Sequence, residues 1–328
     1  MGEGRNKQVI LEIIEKFKSK KVLIIGDAIL DIYVYGTALG KSAETPTMVA
    51  KEEKTEVSYG GSSLVVRNIL ELGAKVSYIA VIGNDEEAKY YNNFNHANLT
   101  NYFIVDKTRR TTIKKRFWID GYKLFQIDNL DNKDLSPELT KKVLGAFNKE
   151  IKNCDIVVIA DNRHGMMTKS LIDSIKRIAE ENKKKVIVDS QVSQRGCMHE
   201  YYKDCHLICL NLREAKELDP DFEAKAGLEY FKKLREKLGS SNLCIKLGEK
   251  GSLSLIDEEL IENSAIKVKE IDTCGAGDAF LAALSLAEMN NANESIQIAN
   301  YWAGLSVAVH GVNPPKKDNL IKYISNLK

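Results

Sequence analysis

The chain has 328 residues, is 44% hydrophobic, and sets 48 Lys and Arg against 46 Asp and Glu for a net charge of +2. Charge so balanced gives no sequence-wide electrostatic case for nucleic acid or an anionic membrane as partner, and the length suits about two domains or one large α/β unit. Only 5 Pro and 21 Gly exclude collagen-like and proline-rich classes, which leaves a globular protein of undecided activity.

Residues 1–21 hold no apolar core of signal-peptide length. Val9, Ile10, Leu11, Ile13, Ile14 and Phe17 recur at helical spacing with lysines between and after, predicting a surface helix that leads into a first strand. No run approaches the roughly 18–20 consecutive apolar residues of a membrane span, so a cytoplasmic location without a membrane partner is expected. Six short apolar runs follow, at 22–25, 76–82, 156–160, 186–188, 207–210 and 243–245. Each is apolar on both faces, which suits strands buried in a parallel sheet. Helical patterns lie between them, at 62–72, 168–182 and 223–238. That alternation predicts a doubly wound α/β fold with helices flanking a mostly parallel sheet.

Polar residues or glycine stand just past the runs: Asp27, Asn84, Asp161, Asp189, Asn211 and Gly248. Any one of them is most simply a turn or cap residue. Six at one sheet edge point to a ligand crevice there. Two stretches break the rhythm, 32–59 and 102–128, and alternate polar and apolar residues. They predict a small β-sheet outside the main one, shaped as a lid, within a single domain over 1–328. Lys183, Lys184 and Lys185 read as a solvated helix end. Of the six cysteines none forms a C-x-x-C pair; the densest set, Cys197, His199, Cys205, His206 and Cys209, fits no zinc spacing, and two of its thiols fall in or beside an apolar run.

The most informative segment is Asp272-Thr273-Cys274-Gly275-Ala276-Gly277-Asp278-Ala279-Phe280, with an apolar helix following. Small residues opening a helix let backbone N–H groups approach an anion, and the helix N-terminus adds positive partial charge. Asp278, in the first turn, is placed to accept a proton from a hydroxyl attacking phosphorus. The plainer alternative is a Gly-rich helix start with Asp as a dipole partner, but the nine-residue string is far more specific than a bare G-x-G.

This string resembles the C-terminal signature of the ribokinase-like (phosphofructokinase-B type) carbohydrate kinases, and the resemblance runs nearly end to end. Gly26-Asp27 through Asp31, with Tyr35-Gly36, is similar to the family's first strand and its sugar-binding acid; Gly60-Gly61 is similar to its N-terminal glycine signature. Asn211-x-x-Glu214 resembles the motif that supports magnesium-bound phosphates. Lys246-Leu247-Gly248 with Gly251 resembles the strand and turn beside the nucleotide, and Ala299-Asn300 the helix lining the adenine pocket. Within the family the nearest likeness is to heptose-7-phosphate kinases: residues 26–36, 42–49, 112–116 and 126–128 have their shape.

The resemblance implies ATP-dependent phosphorylation of a sugar phosphate, D-glycero-D-manno-heptose 7-phosphate first among them. Asp278 is then the base and Gly275, Ala276 and Gly277 the anion hole. Asn211, Glu214, Lys246, Gly248, Gly251, Thr273 and Asn300 meet ATP, with Mg2+ supported by Asn211 and Glu214 mainly through water. Asp27, Asp31, Gly60, Gly61, Lys114, Arg116 and Asp161 meet the sugar. A homodimer covering the lid's edge is expected. The nucleotidyltransferase fused to some relatives is not expected in a chain ending at Lys328. Three departures lie near the sugar end: Leu64 stands in place of a sugar-touching Asn, His164 in place of a lysine, and Arg67 in place of a small or apolar residue. They favour, as alternatives, a family kinase for another sugar or nucleoside, or a non-catalytic nucleotide- or sugar-binding regulator.

Overall fold

The computed structural model describes residues 2–193, 196–223 and 227–327. Part of the helix expected over 223–238 thus lies outside the described residues. The elements in chain order are α1 (Gly2–Lys16), β1 (Lys21–Gly26), β2 (Ala28–Lys41), β3 (Met48–Gly61), α2 (Ser62–Glu71), β4 (Lys75–Ile82), β5 (Leu99–Val105), β6 (Thr112–Ile119) and β7 (Tyr122–Asn129). There follow α3 (Pro137–Glu150), β8 (Ile156–Asp161), α4 (Lys169–Glu181), β9 (Lys185–Ser190), β10 (Leu207–Asn211), α5 (Leu212–Leu218) and α6 (Leu228–Leu238). The chain continues with β11 (Asn242–Lys246), β12 (Ser252–Ile256), β13 (Glu259–Asn263), α7 (Ala276–Ser285), α8 (Ala292–Ser306) and α9 (Lys317–Ser325).

The large sheet runs β13-β12-β11-β10-β9-β8-β1-β4-β5. Every neighbouring pair from β5 through β11 is parallel, and β12 and β13 close one edge antiparallel. All six apolar runs are strands of this sheet. Their alternation sends Ile24 to one face and Leu23 and Ile25 to the other, because side chains along a strand point to opposite faces. The first face is covered by α1, α2, α7, α8 and α9, through Ile10, Val65, Ile69, Leu281, Trp302 and Leu320. The second is covered by α3, α4, α5 and α6, through Phe147, Ile172, Ile175, Ala215 and Phe231. The helix α4 shows how locally this is written: the Thr168 hydroxyl accepts from the Leu171 N–H at 3.3 Å as N-cap, and Leu171, Ile172, Ile175 and Ile178 form its buried stripe. Such a cap contributes about 1 kcal/mol.

A second sheet, β3-β2-β6-β7, forms the lid; β2 and β6 are parallel and its two outer pairs antiparallel. Its bounds differ from those read in the sequence. The strand β2 already begins at Ala28 and β3 runs through Gly61, rather than spanning 32–59. Of the stretch 102–128, only β6 and β7 lie in the lid; residues 102–105 belong to β5, paired parallel to β4 at the edge of the large sheet. An edge strand packs against one neighbour only. The side chains of β5 are half-buried or exposed, so it lacks the doubly apolar run that marks interior strands.

Candidate active site

Parallel strands bring Asp27, Asp161, Asp189, Asn211 and Lys246 to the same C-terminal sheet edge, since β1, β8, β9, β10 and β11 lie side by side. At its phosphate-motif end, Gly275 is the N-cap of α7, with φ +85°, a left-handed conformation that favours glycine. A side chain there is also blocked, because a Cβ would stand 2.4 Å from Leu64 Cδ2. Ala276, Gly277 and Asp278 form the first turn, and the Asp272 carboxylate accepts from the Cys274 N–H at 3.0 Å, shaping the loop before it. Thr273 is exposed at that loop.

Asp278 is half-buried. Burial pushes its carboxyl up to about 7, with the Asp189 carboxylate adding to the rise and the Lys246 ammonium opposing it. A carboxyl titrating there is matched to taking up a proton near neutrality. Lys246 ends β11, and its ammonium pairs with the Asp189 carboxylate, both side chains 13% exposed. Burial works against the ammonium, but Asp189 and Glu214 outweigh it, so its pKa is raised and the charge is kept. The same ammonium stands 3.4 Å from where a Cβ on Gly277 would lie.

Asn211 and Glu214 close a reciprocal capping box at the start of α5. The Asn211 side-chain oxygen accepts from the Glu214 N–H at 2.9 Å, and the Glu214 carboxylate accepts from the Asn211 N–H at 2.7 Å. Burial and then Asp189 push Glu214 up to about 7. The Glu214 carboxylate and the Asn211 side-chain oxygen are hard oxygen donors of the kind a Mg2+ ion takes, directly or through water. Gly248 and Gly251 bracket the short turn after β11. Asn300 is buried, donating to Ser252 Oγ at 2.8 Å and to the Ile296 carbonyl at 3.0 Å; its side chain fastens α8 to β12.

At the other end, the Asp27 carboxylate accepts the N–H groups of His164 and Met166 at 3.2 and 3.3 Å. Its burial outweighs those bonds and raises its pKa. Asp161 accepts from the Ser190 and Tyr202 hydroxyls, each at 2.8 Å, and burial with the neighbouring Asp27 carboxylate pushes it up to about 6. These two acids are therefore turned into the protein, where they hold the loop over 162–166. Asp31 differs. It lies against Gly60, where a Cβ would overlap its Oδ2, and Gly61 follows at the hinge into α2. Asp31 is ion-paired with Arg116 across β2 and β6. Lys114 reaches Asp128 at 3.5 Å. The two lid cations expected to meet the sugar thus have carboxylate partners on the lid itself.

The three departures are also placed. Leu64 packs with Tyr33 and Val312 beneath Gly275, an apolar strut between β2 and the start of α7. Burial, with Lys114 adding to it, pushes the His164 imidazole down to about 4, and its Nδ1 lies 3.0 Å from Asn132 Oδ1. Arg67 donates to Ser58 Oγ and the Val312 carbonyl at 3.0 Å and to Asn313 Oδ1 at 2.9 Å. Sequence reasoning missed Asp189 as a site residue. Its only signal was a place among six strand-end residues, whereas its role comes from the register that sets it opposite Cys209 on β10, one strand from Lys246. Among the described residues no group of three or more His, Cys, Asp or Glu side chains is arranged to hold a metal ion by itself; Cys197 Sγ lies 2.6 Å from His199 Nδ1, and Cys205 and Cys209 are buried.

Residues 19–319 match the pfkB family of carbohydrate kinases. The chain belongs to that family. That family is one of carbohydrate kinases. The kinase is 30% identical over 316 residues to the bifunctional protein HldE of Aliarcobacter butzleri (strain RM4018), covering 94% of this chain and 65% of that one. It is 31% identical over 302 residues to HldE of Desulfatibacillum aliphaticivorans, covering 90% and 61%. The kinase therefore spans less than two thirds of these relatives' length. Its fold is that of a ribokinase from Arabidopsis thaliana solved with ribose and ATP (TM-score 0.70, 21% identity, 94% of this chain and 99% of that one). Phosphofructokinase-2 from Escherichia coli shares it too (TM-score 0.74, 15% identity, 94% and 99%). Among the described residues no helix is long and apolar enough to cross a membrane.

Proposed function

We propose that this kinase phosphorylates a heptose 7-phosphate, with D-glycero-D-manno-heptose 7-phosphate as its substrate. The observation that carries the chemistry is Asp278, half-buried behind Gly275–Gly277 and titrating near 7 beside Lys246. ATP lies along the groove from Lys246-Leu247-Gly248 and Gly251 toward α8, its terminal phosphates on the N–H groups of Gly275, Ala276 and Gly277. Asp278 accepts the proton of the attacking hydroxyl. Glu214 and Asn211 would hold Mg2+ mainly through water, and the ion would supply positive charge against the phosphates. Asp31, kept against Gly60, orients sugar hydroxyls, and the lid excludes water so that ATP is not hydrolysed. Asp27 and Asp161 act one layer back, fixing the loop that carries His164.

The choice of sugar is supported by the segments over 26–36 and 42–49 and by the HldE relatives at about 30% identity. A second reading, a kinase for another sugar, draws on two observations: Arg116 and Lys114 already have partners, and Leu64 offers no hydrogen bond. ADP release measured over a panel of sugars and sugar phosphates decides between them. The heptose 7-phosphate is expected to be turned over fastest; preference for an unphosphorylated sugar sinks the heptose-phosphate reading. We place the reaction in the cytoplasm, where ATP is abundant, and assign the outer face of the lid to a second copy of the chain.

A further inference from the structure

The kinase reading sets Lys246 beside the nucleotide but gives its charge no part in the transfer itself. Lys246 is a full cation in a pocket of carboxylates formed by Asp189, Glu214 and Asp278. A buried ammonium loses much solvation and persists only where other charges replace the water. Asp189 supplies that replacement, yet the pair is not isolated in the core. It sits at the ends of β9 and β11, where the sheet edge opens. The ammonium also faces the first turn of α7, 3.4 Å from the position a Cβ on Gly277 would take. An anion resting on the N–H groups of that turn would come within reach of Lys246. A four-carbon stem with rotatable bonds can exchange one oxyanion partner for another.

We infer that Lys246 is a catalytic residue that leaves Asp189 to contact the phosphoryl group being transferred, with Asp189 acting as the positioning residue that parks the ammonium when no nucleotide is bound. This rests on the kinase reading above. In the transfer, the acceptor oxygen bonds to the γ-phosphorus as that atom's bond to the β–γ bridging oxygen breaks. The hydroxyl proton passes to Asp278, and the electron pair of the broken bond leaves with ADP. Lys246 exchanges no proton; it supplies a positive charge aimed where the equatorial oxygens carry negative charge. Without Lys246 the pocket would hold Asp189, Glu214 and Asp278 facing an incoming polyphosphate.

The test needs no knowledge of the sugar. Affinities for Mg-ADP and for Mg-AMP-PNP, which carries the third phosphate in non-transferable form, are measured by calorimetry on the full chain. The wild-type protein is expected to prefer AMP-PNP. Lys246→Gln should weaken AMP-PNP by about tenfold, the scale of one charge-assisted hydrogen bond, while ADP changes by less than about threefold. Lys246→Arg, which keeps a cation, should retain most of the preference. A purely structural lysine would weaken both nucleotides equally or neither, and either result overturns the inference. So does an unchanged preference in Lys246→Gln. If the wild-type protein binds both nucleotides equally, the lysine's role alone falls; if it binds neither, the ATP site falls and this inference with it.

Discussion

Asp278 owes its character to its surroundings more than to its residue type. A carboxyl held up to about 7 is protonated in the fold at pH values where the unfolded chain has already released its proton. The folded state then binds more protons between the ordinary carboxylate range and pH 7, so this group's contribution to stability falls as pH rises through that window and levels off above it. Asp278→Asn removes that loss. The variant, free of nucleotide, is expected to gain melting temperature relative to wild type as pH climbs from 4 to 7, with no further gain at pH 8. Its turnover should fall by about 10²–10⁴-fold with ATP binding retained. Thermal melts across pH and a coupled ADP assay check both halves; near-normal turnover would remove the assigned base. At this scale the motif over 272–280 was legible because its geometry is local: a glycine string and a helix start read the same in one dimension and in three. Asp189 was not, because its meaning depends on a partner 57 residues away in the chain.

Among the elements, α2 has an unusual position. It begins at the residue after β3 ends, with no linker, so lid and helix are one continuous piece of chain. Arg67 fastens that piece to the loop after α8 through Val312 and Asn313 and back to Ser58 on β3. Arg67→Ala deletes these bonds and leaves the half-buried Ser58 hydroxyl with one partner fewer; a loss of about 1–3 kcal/mol in urea unfolding is expected, and a change within error would show that water replaces the guanidinium at no cost. The strands of the large sheet were legible as short runs apolar on both faces. The edge strand β5 and the lid bounds were not, since half-exposed strands carry a mixed pattern whatever sheet they join. Lys114 and Arg116 were found as neighbours on one face of β6, but only the pairing of β6 with β2 and β7 shows Asp31 and Asp128 opposite them.

For the molecule as a whole, the lid has two unlike faces. Arg116, Gln126, Lys114 and Asp128 share one, turned toward Asp31. The other carries Phe117 stacked on Phe125 at 4.4 Å, with Ile127 beyond; Phe125 and Ile127 are each about half exposed. Apolar side chains gathered on the open face of a sheet mark an association surface, consistent with the proposed homodimer. Sedimentation velocity is expected to show a dimer for the wild-type chain and a monomer for the double variant Phe125→Glu, Ile127→Glu; an unchanged dimer would put the interface elsewhere.

The hairpin joining β2 to β3 reaches far from both sheets' cores. Between the two strands Ser42 is half-exposed and residues 43–47 are all exposed, and Met48 beyond them is 62% exposed. Chain tips of this kind accept inserted sequence with little effect on the rest of a fold. Because β2 and β3 lead from that tip, through two bulges, to Asp31 and Gly60, a fluorescent protein spliced between Glu44 and Thr45 would be mechanically linked to the proposed sugar pocket. The same hairpin thus offers a transducer by which occupancy of the proposed pocket is read optically.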